Sequence, residues 1–493
     1  MRTHNFVGGV LAAGVLLAAF VAHADPVDNL KPGEWYDVPS SQLRALDPCP
    51  TRDCSYSAVS GMTAVIQSWS GGAYDTKRDR LLVWGGGHHD YGGNELYAFD
   101  LGTLTWSRLT NPSDPPGTDA VGPYAADGNP TSRHTYNYLQ YVPALDSFCS
   151  FGGAALYPSG QTNTVHTDCF DLAGNLWKRQ PDTNVLGQMI GAFSAIDPTT
   201  GHGWIHGCGG ESSLAEFDPI SNMWISHGGI WTETVSNPQY YTTADVDPVH
   251  HLFVSVGAAQ SFAWDLSRAG QIAGTLLATT GDQAIIQAQA PGFVYDAAAQ
   301  AFVGWNGGAD VLTLDPTTWV WTRLVPAPSN TVTPTAATQS GTNGRFRYSP
   351  ARNVFVVVNS VDEDVYIYKL SAGGGTQVDG GVSLPGADAG SSQDAGGADG
   401  GSAMDGGVLL PAVDAGSSQG AGGVDGGSAA DGGVPAPRSG CACRATSETS
   451  SAGGGAWLAL VTVAIALAHR RRGASRIASA RAGRGGPTGA GAR

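Results

Sequence analysis

Hydrophobic residues fall into six short runs between residues 80 and 360, each an apolar strand closing on small residues: RLLVWGGG (Arg80–Gly87), DSFCSFGG (Asp146–Gly153), GWIHGCGG (Gly203–Gly210), HLFVSVGA (His251–Ala258), AFVGWNGG (Ala301–Gly308) and NVFVVVNS (Asn353–Ser360). Each is followed by an aliphatic or aromatic residue with Asp, and most units place a Trp six positions after that Asp. The phased pairs are Asp100 with Trp106, Asp171 with Trp177, Asp218 with Trp224 and Asp315 with Trp321, while Asp265 keeps the phase without its Trp. Successive Asp residues lie 71, 47, 47 and 50 apart. A repeat of roughly 50 residues built from short strands predicts an all-β, six-bladed β-propeller. A seventh blade would need a unit hidden in the Thr110–Thr131 connection, which shows no strand pattern.

The sixth unit ends at Tyr366-Ile367-Tyr368 without an outer Trp strand, and GEWYDVP (Gly33–Pro39) resembles the outer segments LTWSRLTNP (Leu104–Pro112) and WTRLVP (Trp321–Pro326). Trp35 is therefore expected to supply the missing strand, closing the ring and removing a free sheet edge. The repeats resemble the kelch and galactose-oxidase-like propellers over about residues 33–370. The resemblance implies the fold; it does not select a function, because such propellers include oxidases, lyases, epimerases and binding modules. A copper-radical oxidase would need a Tyr joined to a Cys, a second Tyr and two His ligands, and no motif here matches that set.

Outside the repeats the chain changes character. Residues 1–24 carry Arg2, the apolar run Phe6–Val21 and Ala22-His23-Ala24, the layout of a secretory signal peptide cut after Ala24. The propeller is expected over 25–370. Residues 371–440 are Gly, Ala, Ser and Asp with few large apolar side chains, a composition that cannot offset chain entropy by burial and so reads as a disordered linker. Within it Leu384–Val408 recurs as Leu410–Val434, a duplication with a 26-residue period. Over 441–472, CACR (Cys441–Arg444), the apolar run Ala456–Ala468 and Arg470-Arg471-Arg472 resemble the myxobacterial C-terminal sorting signal; a basic Gly/Ala-rich tail, 473–493, follows. That resemblance implies display on the cell surface, with Cys441 or Cys443 as the processed residue. The residues themselves also allow an ordinary C-terminal membrane anchor, although the run is short for a span of about 20 residues.

The formal charge of -16, part of it linker Asp, argues against nucleic acid, which needs a basic face. Cys49 with Cys54 and Cys149 with Cys169 are expected to pair in an oxidising compartment, leaving Cys208 as a small core residue.

In a blade running a-b-c-d, the b–c loop and the d–a crossover reach the same face. The first b–c loop, GGGHHDYGGNE (Gly85–Glu95), brings His88, His89, Asp90, Tyr91 and Asn94. The crossover into the second blade ends SRHTYNY, with Arg133, His134, Tyr136 and Tyr138; Tyr157 and His166 follow. Later crossovers add Trp231, Tyr240 and Tyr241, then Arg345, Arg347 and Tyr348. Aromatic faces stack on sugar rings and Arg forks onto carboxylate or sulfate, so these loops predict binding of an extracellular glycan or surface protein. The alternative is a polysaccharide lyase: His89, His134 and Tyr136 would move protons while Arg133 neutralises a uronate. The densest set is expected between the first two blades. No motif assigns a cofactor, and metal content is left open. His202 and His206 would stand roughly 13 Å apart along a strand, too far to share an ion.

Overall fold

The computed structural model describes residues 25–372 except 119–121, 186, 210–211 and 229–239. The expected signal peptide (1–24), the expected linker beyond residue 372, Cys441, Cys443, the C-terminal apolar run and Trp231 lie outside the described residues. Six antiparallel sheets form the blades of a β-propeller. Blade 1 holds Gly72–Asp75, Arg80–Val83, Tyr97–Asp100 and Thr105–Arg108. Blade 2 holds Leu139–Val142, Ser147–Gly153, Thr164–Asp171 and Leu176–Arg179, and blade 3 Gln188–Ile196, Gly203–Cys208, Leu214–Asp218 and Met223–Ser226. Blade 4 holds Thr243–Asp247, Leu252–Gly257, Gln260–Asp265 and a two-residue outer strand, Thr275–Leu276. Blade 5 holds Gly292–Asp296, Ala301–Trp305, Val311–Leu314 and Val320–Leu324, with Thr280–Gly281 added in parallel on its outer edge.

Blade 6 joins the two ends of the ring. Phe346–Ser349, Val354–Val357 and Tyr366–Lys369 are completed by Glu34–Asp37, in register with Trp35 opposite Tyr368. Trp35 is buried, packs on Trp305 of blade 5 at 6.0 Å, and donates its indole N–H to the Ala309 carbonyl at 2.9 Å. Other outer-strand tryptophans also reach back to the preceding blade: Trp177 packs on Trp84 at 5.3 Å and Trp224 on Phe151 at 5.2 Å. The core is thus a set of aromatic seams between blades. The 110–131 connection contains no strand among its described residues, so the blade number is six.

The phased Asp residues hold the c–d turns. Asp100 accepts from the backbone N–H of Gly102 and Thr103, both at 2.9 Å; Asp171, Asp218 and Asp315 each cap two N–H groups in the same way. A second Asp set does the same at the a–b turns, where Asp197, Asp247 and Asp296 accept from Thr199, Val249 and Ala298. Both expected disulfides are present, Cys49–Cys54 and Cys149–Cys169, the latter across paired strands of blade 2. Cys208 is buried, and its thiol donates to the Gly191 carbonyl at 3.1 Å. Among the described residues no helix is long and apolar enough to cross a membrane.

Candidate functional site

At the start of its innermost strand each blade has a residue in the left-handed region. Around the ring these are Trp69 (φ 48°), Tyr136 (39°), Gly191 (70°), Tyr241 (67°), Ala290 (41°) and Asn343 (50°). Their backbones chain from blade to blade: Tyr136 N–H donates to Trp69 O at 2.7 Å, Ala290 to Tyr241 O at 2.7 Å, and Asn343 to Ala290 O at 3.1 Å. The approach is close enough that a Cβ on Gly71 would stand 2.1 Å from Tyr136 O and 2.7 Å from Asn343 O. Left-handed geometry is costly for bulky residues and collects at functional sites. Here it sets three aromatic side chains around the mouth of the propeller.

Trp69 and His134 pack with ring centres 5.0 Å apart, His134 and Tyr136 at 6.0 Å, and Tyr136 and Tyr241 at 6.0 Å. The two ends of this row, Trp69 and Tyr241, both wall a basin of about 780 Å³. Amides from Gln67, Gln289, Gln339 and Asn359 line it, together with the hydroxyls of Thr335, Thr338 and Ser340 and the carboxylate of Glu363. Asn359 donates to Thr335 Oγ1 at 2.7 Å, and Thr335 donates to Glu363 Oε2 at 2.7 Å, which fixes one wall. The volume is that of an ordinary small-ligand site. Most of the basin's lining comes from the crossover between blades 5 and 6 and from blade 6 itself, and none from the histidine set expected between blades 1 and 2.

That set divides on inspection. His88, His89 and His134 do come together, with ring centres 4.6 Å apart for His88 and His89 and 5.8 Å for His88 and His134. His88 lies over Gly160, where a Cβ would stand 1.8 Å from its Cδ2. His134 is 5 % exposed, and its Nε2 is 3.7 Å from Asp90 Oδ2, too long for a hydrogen bond, so that nitrogen is buried without a partner. Burial pushes the pKa of His134 below its ordinary value, and burial followed by the neighbouring imidazoles does the same to His88. The facing His134 ring holds the Asp90 carboxyl low, and Ser60 adds a hydrogen bond at 3.1 Å.

The arginines belong to the scaffold. Arg133 is 0 % exposed; it pairs with Asp168 at 3.0 Å and donates to the Thr131 and Pro123 carbonyls. This placement corrects its expected role as a neutraliser of substrate carboxylate, since no face of the guanidinium is left for one. Arg345 donates to the carbonyls of Val358, Ser70 and Gly341, and Arg347 to those of Gly72, Gly344 and Leu139. Phe346 and Tyr348, between and beside them, pack into the seam with blade 5, so the alternation of the strand turns both arginines the other way, toward blades 1 and 2.

Several expected ligand-binding residues are likewise internal. Tyr91 and Tyr97 both donate to the buried Glu95 at 2.8 Å. Asn94 clamps the long connection to blade 1 through Ser113 and the Pro130 carbonyl. Tyr138 is fully buried and donates to the His134 carbonyl. Tyr157 covers Gly92 at the rim, and Tyr240 stands beside Tyr241. His166 joins a different cluster, 2.6 Å from Asp182, 2.7 Å from Arg179 and stacked on Tyr124.

His202 and His206 have separate surroundings: His202 binds Glu216 at 2.6 Å, and His206 is buried against Phe193 and Trp264. Among the described residues one grouping has metal-ligand proximity, Cys49, Cys54 and Asp53, and its sulfurs are consumed in a disulfide. A smaller cavity of about 340 Å³ lies beneath the N-terminal segment, where Arg44 is already engaged by Asp47 and Asp362.

Sequence reasoning missed Gln67, Trp69, Gln289, Gln339, Asn359 and Glu363. Trp69 carried a usable signal, since it stands before the inner strand of blade 1 as Tyr136 does in blade 2. Neither a protein-family model nor a curated protein matches the chain.

Proposed function

We propose that this protein is an exported, surface-displayed propeller of the kelch type that binds a carbohydrate in the basin at its mouth. The observation that carries this reading is the pair of aromatic side chains, Trp69 and Tyr241, that line the basin together with amide- and hydroxyl-bearing residues. A flat apolar ring beside many neutral hydrogen-bonding groups suits a pyranose, which has one apolar face and a rim of hydroxyls. The two disulfides suit export. The N-terminal leader and the Cys-bearing C-terminal segment would supply secretion and attachment at the membrane, with the Gly/Asp-rich stretch as spacer.

The test is a glycan array probed with the full chain and with Trp69→Ala. Binding to a defined set of glycans, weakened about tenfold or more by Trp69→Ala at unchanged circular dichroism, supports the reading. A blank array, or binding indifferent to Trp69, removes it.

A second reading, a polysaccharide lyase, keeps one observation in its favour: a buried His134, its pKa lowered by burial, whose Nε2 faces Asp90 without a hydrogen bond and whose ring lies beside Tyr136. It has lost Arg133 as the group that would stabilise an enolised uronate. Absorbance of unsaturated products from polygalacturonate, present in the parent and absent in His134→Ala, would establish it.

A further inference from the structure

We infer that the basin is specific for sugars without acidic groups and favours those bearing an ammonium group, with Glu363 as the residue that reads the charge. This rests on the binding reading above. Its starting point is a charge census of the mouth. Among the described residues no Lys or Arg lines the basin. The guanidinium groups nearest to it in sequence, those of Arg345 and Arg347, are buried: Arg347 is spent on backbone carbonyls, and Arg345 on carbonyls and, from behind the wall, on the Thr338 hydroxyl at 3.3 Å.

The blade 6 loop that walls the basin is Val361-Asp362-Glu363-Asp364, and its three carboxylates have different fates. Asp362 pairs with Arg44 at 2.7 Å, and Asp364 accepts from the Ser41 backbone N–H at 2.8 Å. Glu363 is half-buried, accepts from Thr335 Oγ1, and among the described residues meets no Lys, Arg or His. Its negative charge is felt nearby, because Asp37 is held above its ordinary value by burial and then by Asp364 and Glu363. An anionic sugar entering here would face that charge with no exposed base among the described residues, since the Arg345 guanidinium is buried behind Thr338, and an amino sugar would supply a cation within the basin.

The experiment titrates the full chain calorimetrically with three hexamers at mildly acidic pH: fully deacetylated glucosamine hexamer, its N-acetylated neutral form, and hexagalacturonate. The expected order is ammonium form tightest, neutral form about fivefold weaker, as for a partly exposed ion pair, and no binding of the uronate. The ammonium preference shrinks with added salt and disappears in Glu363→Gln, which keeps the hydrogen bond from Thr335. Equal or tighter binding of hexagalacturonate, or an ammonium preference unchanged in Glu363→Gln, overturns this inference while leaving carbohydrate binding in place. Failure of all three hexamers on a chain that binds other array glycans overturns the inference alone; failure on a chain with a blank array overturns both.

Discussion

Removing the Arg133 side chain would leave the Asp168 carboxylate buried with the Tyr124 hydroxyl, at 2.7 Å, but without its cation. Breaking a buried pair on one side costs about 3 to 5 kcal/mol, so Arg133→Ala is expected to lower the urea midpoint strongly. A change below about 1 kcal/mol, the level of an ordinary surface position, would return Arg133 to the list of ligand contacts.

Glu216 provides a pH-dependent counterpart. Its Oε1 is 2.6 Å from His202 Nδ1 and its Oε2 2.7 Å from His227 Nε2, while His227 Nδ1 faces the Gly270 carbonyl at 2.7 Å. With acceptors at both ring nitrogens, His227 is held as imidazolium. Glu216 raises both imidazoles above 6.5, and burial, outweighed by the two histidines, leaves Glu216 at about 2. The histidine contribution is fully present below 6.5 and lost as pH rises through the raised folded values. The glutamate contribution is present above 4.5 and lost as pH falls toward about 2. His88, His134 and His206, the last pushed down to about 4 by burial, oppose the first trend, because the unfolded chain protonates them first as pH drops below 6.5. The expected result is that His227→Gln flattens the loss of stability as pH rises above 6.5. Equal slopes for parent and variant would show that the Glu216 cluster does not titrate in that window.

At the scale of elements, the closing strand is the joint of the ring. Trp35 fills a seam between blades 5 and 6, and large aromatic to Ala changes in such positions cost about 3 to 5 kcal/mol. Trp35→Ala is therefore expected to lower the unfolding midpoint and to expose the edge of Tyr366–Lys369, which would show as concentration-dependent association in sedimentation. A monomeric variant of parental stability would mean that the ring is held elsewhere.

The closure was legible because Trp35 repeats the outer-strand pattern, and the c–d turns were legible because Asp100 and its equivalents recur in phase. The a–b turn residues Asp197, Asp247 and Asp296 escaped notice, since they lie outside the Trp-phased pattern. The arginines were misread for a different reason. A loop position says which face of the propeller a residue reaches, but Arg133, Arg345 and Arg347 turn inward to satisfy backbone carbonyls that the crossovers would otherwise leave buried and unpaired.

At the scale of the whole molecule, six loops converge on one mouth, and the asymmetry of that mouth makes a site. Trp69, Tyr136 and Tyr241 occupy three of six equivalent left-handed positions; Gly191, Ala290 and Asn343 occupy the others. A symmetric ring of large side chains would fill the opening, whereas this arrangement leaves a basin with an aromatic wall on one side. The sequence placed His134, Tyr136 and Tyr241 at the mouth, and of these Tyr241 lines the basin, but the rest of it is assembled from 67–69, 289, 335–340 and 359–363, segments far apart in the chain that the ring brings together.

The most direct measurement is backbone hydrogen exchange of the full chain with and without the glycan that binds most tightly on the array. The account predicts slowed exchange confined to residues 67–70, 240–242, 335–341 and 359–363. Protection concentrated on the outer strands, or around His166 and Asp182, would contradict it.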